Sequence, residues 1–303
     1  MLIDSHCHIH DRGTYNYVFS HQQIGKKLLK KYPDLPHEID DFTPEKIIAR
    51  AHAAGVNKMI CIGTSHEDSL AARDFAAKYA KDGVFWSYGI HPDEAADSLF
   101  ANMTSSDSED LRRRRESRIG SSPVTTGRAT GASEALLSCL PSRLVAIGEV
   151  GLDYRNGTAN RTAQLKLFER MLQLAEDNNL PLIFHIRDAF DDFFAVLKNF
   201  PDARGVVHSF SDSPENLKKS LDQNFYIGVN GLATFAPEIP LPPLERALLE
   251  TDAPFLTPAP FRGTINEPAR VQDVCAYLSK VTGESEAKIA EITTKNAEQL
   301  FKI

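Results

Sequence analysis

A (β/α)8 barrel of the TIM type is the fold class this sequence predicts, on three observations. Eight short apolar runs recur along the chain. Segments with helical periodicity separate them. No glycine-rich nucleotide-binding turn follows any run, which counts against the competing open, doubly wound sheet. A length of 303 residues is high for one domain but ordinary for an α/β barrel. Residues 1–303 therefore read as a single barrel.

The runs are residues 1–3, 58–62, 84–90, 144–147, 182–184, 204–207, 225–229 and 247–250. The middle ones are rich in Val, Ile and Phe without strict polar alternation, as expected of strands covered on both faces. A helix is expected over 44–54, with Thr43 as N-cap, Glu45 in the first turn and Gly55 closing it. Another spans 161–178, where Leu165, Phe168, Leu172 and Ala175 share one stripe. The tail, 267–303, reads as two more helices that close the barrel. Two segments break the rhythm. Residues 11–41 read as a long first loop containing Tyr15, Tyr17, Phe19 and several lysines. Residues 101–141 hold LRRRRESR and then a Ser/Thr/Gly-rich stretch, and read as a flexible basic insertion.

Charged residues make up 25% and hydrophobic ones 42%, ordinary for a soluble globular protein. The net charge of −7 is opposite in sign to that of a protein that coats DNA non-specifically. A site that grips one phosphate needs only local positive charge, which metal ions supply. Cys7, Cys61, Cys139 and Cys275 are scattered without a C-x-x-C pair, which suits a reducing compartment. No apolar run is long enough for a bilayer, so no membrane contact is expected. The histidine-rich segment starts within six residues and leaves no room for a signal peptide. A cytoplasmic location is expected, and no obligate protein partner is inferred.

The chemistry gathers at the ends of the runs. The first leads into DSHCHIH, where His6 and His8, two apart in an extended chain, point to one side. His10 continues the alternation where the chain should be turning away, and is left unassigned. The fourth run leads into GEVGLDY and places Glu149, a carboxylate able to bridge two cations. The fifth gives His185, with Arg187 two residues on; the sixth gives His208; the eighth gives Asp252. Any one of these could be a hydrogen-bonded core residue or a solvated rim residue. Barrel sites, however, are assembled from strand ends, so four imidazoles and two carboxylates should converge. Such a set can hold two divalent ions, roughly 3.5–4 Å apart in two-metal hydrolases. Imidazole donors suit zinc; magnesium or manganese would serve a phosphate-bridged site.

In this order the motifs resemble the TatD family of metal-dependent deoxyribonucleases. The matching strings are DSHCHIH, GIHP at 89–92, GEVGLDY at 148–154, FHIRD at 184–188, VHSF at 207–210, and ETDAPFLTP with PFRG and NEP over 250–268. The resemblance implies a two-metal barrel that hydrolyses phosphodiester bonds in DNA, with exonucleolytic action expected. It implies His6 and His8 as the first metal pair, Glu149 as bridge, and His185 and His208 as further ligands. Asp252 becomes both ligand and proton acceptor, so that Glu149 and Asp252 are the catalytic carboxylates. His91 and Asp153 occupy motif positions expected to contact substrate or to orient a ligand. Arg262, possible partner of Arg187 on a phosphate, follows the strand-eight motif; an ion pair with Glu267 is its competing reading. The sequence departs from the family pattern in its first loop and its insertion, which bear on substrate size. Three alternatives stand: an amidohydrolase acting on a small molecule, an aminoacyl-tRNA ester hydrolase on the same fold, and a non-catalytic metal-binding protein.

Overall fold

The computed structural model describes residues 1–21, 26–95 and 143–303. The insertion expected at 101–141 lies outside the described residues. Eight strands form one parallel sheet in chain order: β1 (Leu2–Cys7), β2 (Val56–Cys61), β3 (Val84–Tyr88), β4 (Leu144–Asp153), β5 (Leu182–Arg187), β6 (Gly205–Val207), β7 (Tyr226–Val229) and β8 (Ala247–Leu249). The ring closes where the chain beyond β8 meets β1. There Asp252 N donates to the His6 carbonyl (2.9 Å) and His8 N donates to the Ala253 carbonyl (2.8 Å).

Two apolar clusters flank the wall. Ile3, Ile60, Ile62, Val145, Ala146, Ile183, Val206, Tyr226 and Leu248 fill the inside. Ala297, Leu300 and Phe301, at the end of the last helix, join them and plug the lower mouth. Alternate strand residues, among them Met59, Trp86, Phe184 and Ile227, face outward against the helices. Helices α3 (Pro44–Ala53), α4 (His66–Lys78), α5 (Arg161–Asn178), α6 (Phe190–Leu197), α7 (Pro214–Asp222), α8 (Val271–Thr282) and α9 (Glu286–Phe301) bring apolar residues to this layer. Ser65, Ser213 and Ser285 each accept a backbone N–H of the first turn and fix where α4, α7 and α9 begin.

The structure corrects two readings. Residues 11–41 are not one loop: they hold α1 (Arg12–His21), α2 (Lys26–Lys31) and a 3-10 turn at Ile39–Phe42. Only Tyr15 and Val18 of α1 are buried, too few for a recognisable helical stripe. Arg12 ties the segment down by donating to the Phe42 and Ile39 carbonyls (2.6 and 3.1 Å). Strands β1, β4 and β5 also run past the expected ends at residues 3, 147 and 184. Apolarity stops there because the side chains turn polar for the site, while the backbone ladder continues.

Candidate metal centre

The floor of the barrel's upper mouth is built by β1, β4, β5, β6 and the chain after β8. Within β5 and β6 plain alternation suffices: Ile183 and Val206 point inward, and two residues on so do His185 and His208. For β1 and β4 it does not. Ile3 points inward, so strict alternation would turn His6 outward. A register irregularity between Asp4 and Cys7 reverses the parity, and Cys7 joins the outer layer. A second irregularity, between Ile147 and Val150, does the same for Glu149. Bulges that re-aim side chains are a recurrent device beside active sites. The β4 bulge is held by the Ser87 hydroxyl donating to the Gly148 carbonyl (2.5 Å) and by Glu149 N donating to Gly63 (2.9 Å). Gly89 permits the close approach of β3, since a Cβ there would lie 2.2 Å from the Gly148 carbonyl carbon.

Glu149 gives one oxygen to each of two groups. Oε2 lies 3.5 Å from His6 Nε2. Asp252 Oδ1 is 3.6 Å from that nitrogen and 3.5 Å from His8 Nε2. Oε1 lies 2.7 Å from His185 Nδ1, 3.8 Å from His208 Nε2 and 3.9 Å from His91 Nε2. Three overlapping triads of donor atoms result: His6/His208/Asp252, His6/His8/Glu149 and His91/Glu149/His185. Both nitrogens of His6 are buried without a hydrogen-bond partner, an expensive state unless something else binds them. The spacings near 3.5 Å are too long for hydrogen bonds. Two donors at about 2.05 Å from one ion, at a tetrahedral angle, stand about 3.3 Å apart. The residues fit a divalent cation.

The family model for TatD-related DNases matches residues 3–302. The chain belongs to this family. It is 32% identical to the metal-dependent hydrolase YcfH of Escherichia coli K12, over all of this chain and 96% of the relative. It is likewise 32% identical to the 3'-5' ssDNA/RNA exonuclease TatD of Citrobacter rodentium, over 86% of this chain and 92% of the relative. The crystal structure of YjjV, a TatD homolog from E. coli K12, superposes with a TM-score of 0.70 at 26% identity, covering 100% and 98% of the two chains. The protein is thus a metal-dependent hydrolase of the TatD family.

In this TatD-family chain two further carboxylates hold the imidazoles. Asp153 Oδ2 is 3.0 Å from His185 Nε2, and its other oxygen accepts from Arg155 N (2.9 Å). Asp153 is buried and is not part of the pocket lining. Glu250, not singled out from sequence, lies 3.0 Å from His208 Nδ1 at ion-pair distance without hydrogen-bond alignment. It accepts from Ser209 N (2.7 Å) and Asn230 Nδ2 (3.2 Å). Room for it exists because residue 228 is glycine: a Cβ there would fall 2.3 Å from its carboxylate. The sequence signal was present, one residue before Thr251-Asp252, but a run read as apolar hid it. His10 turns away from the centre to Asp68, 3.0 Å from its Nε2.

Charge follows these contacts. Burial lowers the His208 pKa, but Glu250, Glu149 and Asp252 outweigh it and lift the ring to about 10. Burial also opposes charge on His185, yet Asp153 and Glu149 raise it to about 9. Burial and the neighbouring His208 lower His6. Burial acts to raise Glu149 and Asp252, and the surrounding imidazoles hold both low.

A pocket of about 670 Å³ opens above this floor, with His8, His91, Glu149, His185, His208 and Asp252 in its lining. Arg187 and Arg155 reach its rim; Arg155 was missed because it follows the GEVGLDY string by one residue. Arg262 does not line the pocket. It is exposed and stacks on Phe235 at 4.3 Å. The competing ion pair with Glu267 is also absent, because Glu267 is taken by Arg50 (2.5 Å).

Proposed function

We propose that this chain hydrolyses phosphodiester bonds of nucleic acid, DNA foremost, from an end, with two divalent ions shared across Glu149. The observation that carries this reading is the division of Glu149's oxygens between two groups of imidazoles. When bound, such ions stabilise phosphate charge and lower the pKa of a water. The ligands are His6, His8, Glu149, His185, His208 and Asp252, and the histidine-rich set favours zinc or another transition ion over magnesium. Asp252, in the pocket and held low in pKa, accepts the proton of the attacking water. Glu149 keeps the two groups in register. Asp153 and Glu250 hold the rings of His185 and His208. Arg155 and Arg187 meet the substrate's phosphates at the rim, while Arg262 reaches only phosphates beyond the pocket. His91 closes the second donor group and faces the substrate. Relatives named as 3'-5' ssDNA/RNA exonucleases support the substrate class. The amidohydrolase alternative commonly bridges its metals with a modified lysine, and no lysine among the described residues lines this pocket.

The test uses protein stripped of metal, reconstituted with Zn, Mn or Mg, and given end-labelled single- and double-stranded DNA. A metal-dependent ladder of single-nucleotide steps is expected. The His6→Ala/His8→Ala protein should give no ladder while keeping its far-UV circular dichroism. Intact DNA with every metal, or wild-type cleavage by the double variant, overturns the proposal.

A further inference from the structure

The pocket above the metal centre is divided by chemistry. Arg155 follows β4 and Arg187 ends β5. Across the barrel mouth, Leu232, Phe255 and Leu256, from the segments after β7 and β8, form an apolar wall. In an eight-stranded ring β4 and β8 stand opposite each other, so Arg155 and the segment carrying Phe255 and Leu256 lie across the floor from one another. Among the described residues the exposed large apolar side chains are Met1, Tyr17, Phe255 and Val281, and of these only Phe255 lines the pocket.

Phe255 is 38% exposed although its backbone is tightly held. Its N–H donates to the Asp252 carbonyl (2.8 Å), and its carbonyl accepts from Asn266 Nδ2 (2.6 Å). Asn266 is itself buried and also donates to the Thr251 carbonyl (2.9 Å). The backbone is thus fixed three residues from a carboxylate of the centre, and the part-exposed aromatic side chain it carries belongs to the pocket lining. Leaving its exposed part to water costs free energy that a flat partner recovers.

We propose that Phe255 is the platform on which the unpaired base beside the scissile phosphate stacks, while the next phosphates of the strand lie against Arg155 and Arg187. The inference rests on the nucleic-acid reading of the site and adds to it a residue that selects single-stranded ends. Sequence tolerance follows, since every base has a π-face. A base still paired at a duplex end must be unpaired and unstacked, at a cost of about a few kcal/mol, before it can lie on the ring.

The experiment uses metal-loaded protein and single-stranded oligonucleotides that differ only in the terminal residue, which carries either a base or an abasic tetrahydrofuran sugar. One pair is altered at the 3′ end and one at the 5′ end. The rate of removal of the first residue gives kcat/KM for wild type, Phe255→Leu and Phe255→Trp. Wild type should prefer the base-bearing end about 5- to 150-fold, the range that base–aromatic stacking supplies. Leucine keeps apolar volume without a flat face and should bring the ratio toward one, through KM; tryptophan should preserve it. Equal rates on both ends with wild type, or an undiminished preference in Phe255→Leu, overturns the inference and leaves the proposed function standing. A wild-type protein that shortens neither oligonucleotide rejects the proposed function, and this inference falls with it.

Discussion

Asp252 leaves β8 with a φ of 57°, in the left-handed region that asparagine and aspartate tolerate better than most residues. That turn places Oδ1 between His6 and His8 and leaves the side chain 17% exposed to the pocket. A carboxylate so placed can hold a cation and also take a proton. Replacement with asparagine preserves the shape and removes the basicity. We expect Asp252→Asn to lower kcat by about 10²–10⁴ with little change in oligonucleotide affinity, since general-base assistance is of that size. Single-turnover cleavage and a separate binding isotherm measure the two. Weakened binding with unchanged single-turnover rate would make Asp252 a substrate contact instead.

At the scale of the element, the two bulges decide which residues reach the centre. The β4 bulge depends on backbone meeting backbone, with Gly89 against Gly148 and the Ser87 hydroxyl on the Gly148 carbonyl. Gly89→Ala must push β4 away, and overpacking of this kind costs about 1–3 kcal/mol. Because Glu149 rides on the bulge, metal affinity should fall as well. Val84→Ala, at the other end of β3, is the control for stability loss alone. Melting curves and competition with a chelator would show it: equal metal affinity in the two variants removes the link between Gly89 and the site. The same bulges mark the limit of what the chain made legible. His185 and His208 follow from period-two alternation and could be read directly. His6 and Glu149 were read from their places at the ends of the first and fourth runs, but alternation could not carry them inward, because the parity reversals at Asp4–Cys7 and Ile147–Val150 arise from pairing with other strands. Asp153 was seen as an orienter only as one of two roles. Glu250 was missed because its partners, His208, Ser209 and Asn230, lie 20 to 42 positions away and meet it only in the closed barrel.

For the molecule as a whole, the centre concentrates protons where metal should bind, and this sets the pH dependence of stability. In the metal-free protein His208 and His185 hold protons up to about 10 and 9, against about 6.5 for an unfolded histidine. Between those values the folded chain binds more protons than the unfolded one. Stability from these rings is therefore complete below pH 6.5 and declines as pH rises toward 9 and 10. His6 and His91, shifted downward, oppose this, while His8 and His10, shifted upward, add to it. On the acid side the lowered pKa values of Glu149, Asp252 and Asp153 contribute stability above about pH 4, which is lost as pH falls further. The metal-free Tm should thus peak between about pH 4.5 and 6.5 and fall from pH 7 to 9. A divalent ion competes with protons for the imidazole nitrogens, so its binding should release protons and tighten as pH rises. The increment in Tm on adding metal should then grow across the range in which the metal-free Tm falls. Scanning calorimetry from pH 5 to 9, with and without saturating zinc, tests both trends. A metal-free Tm that is flat or rising between pH 7 and 9, or a metal increment independent of pH, would show that these imidazoles do not carry the protons their carboxylate neighbours imply.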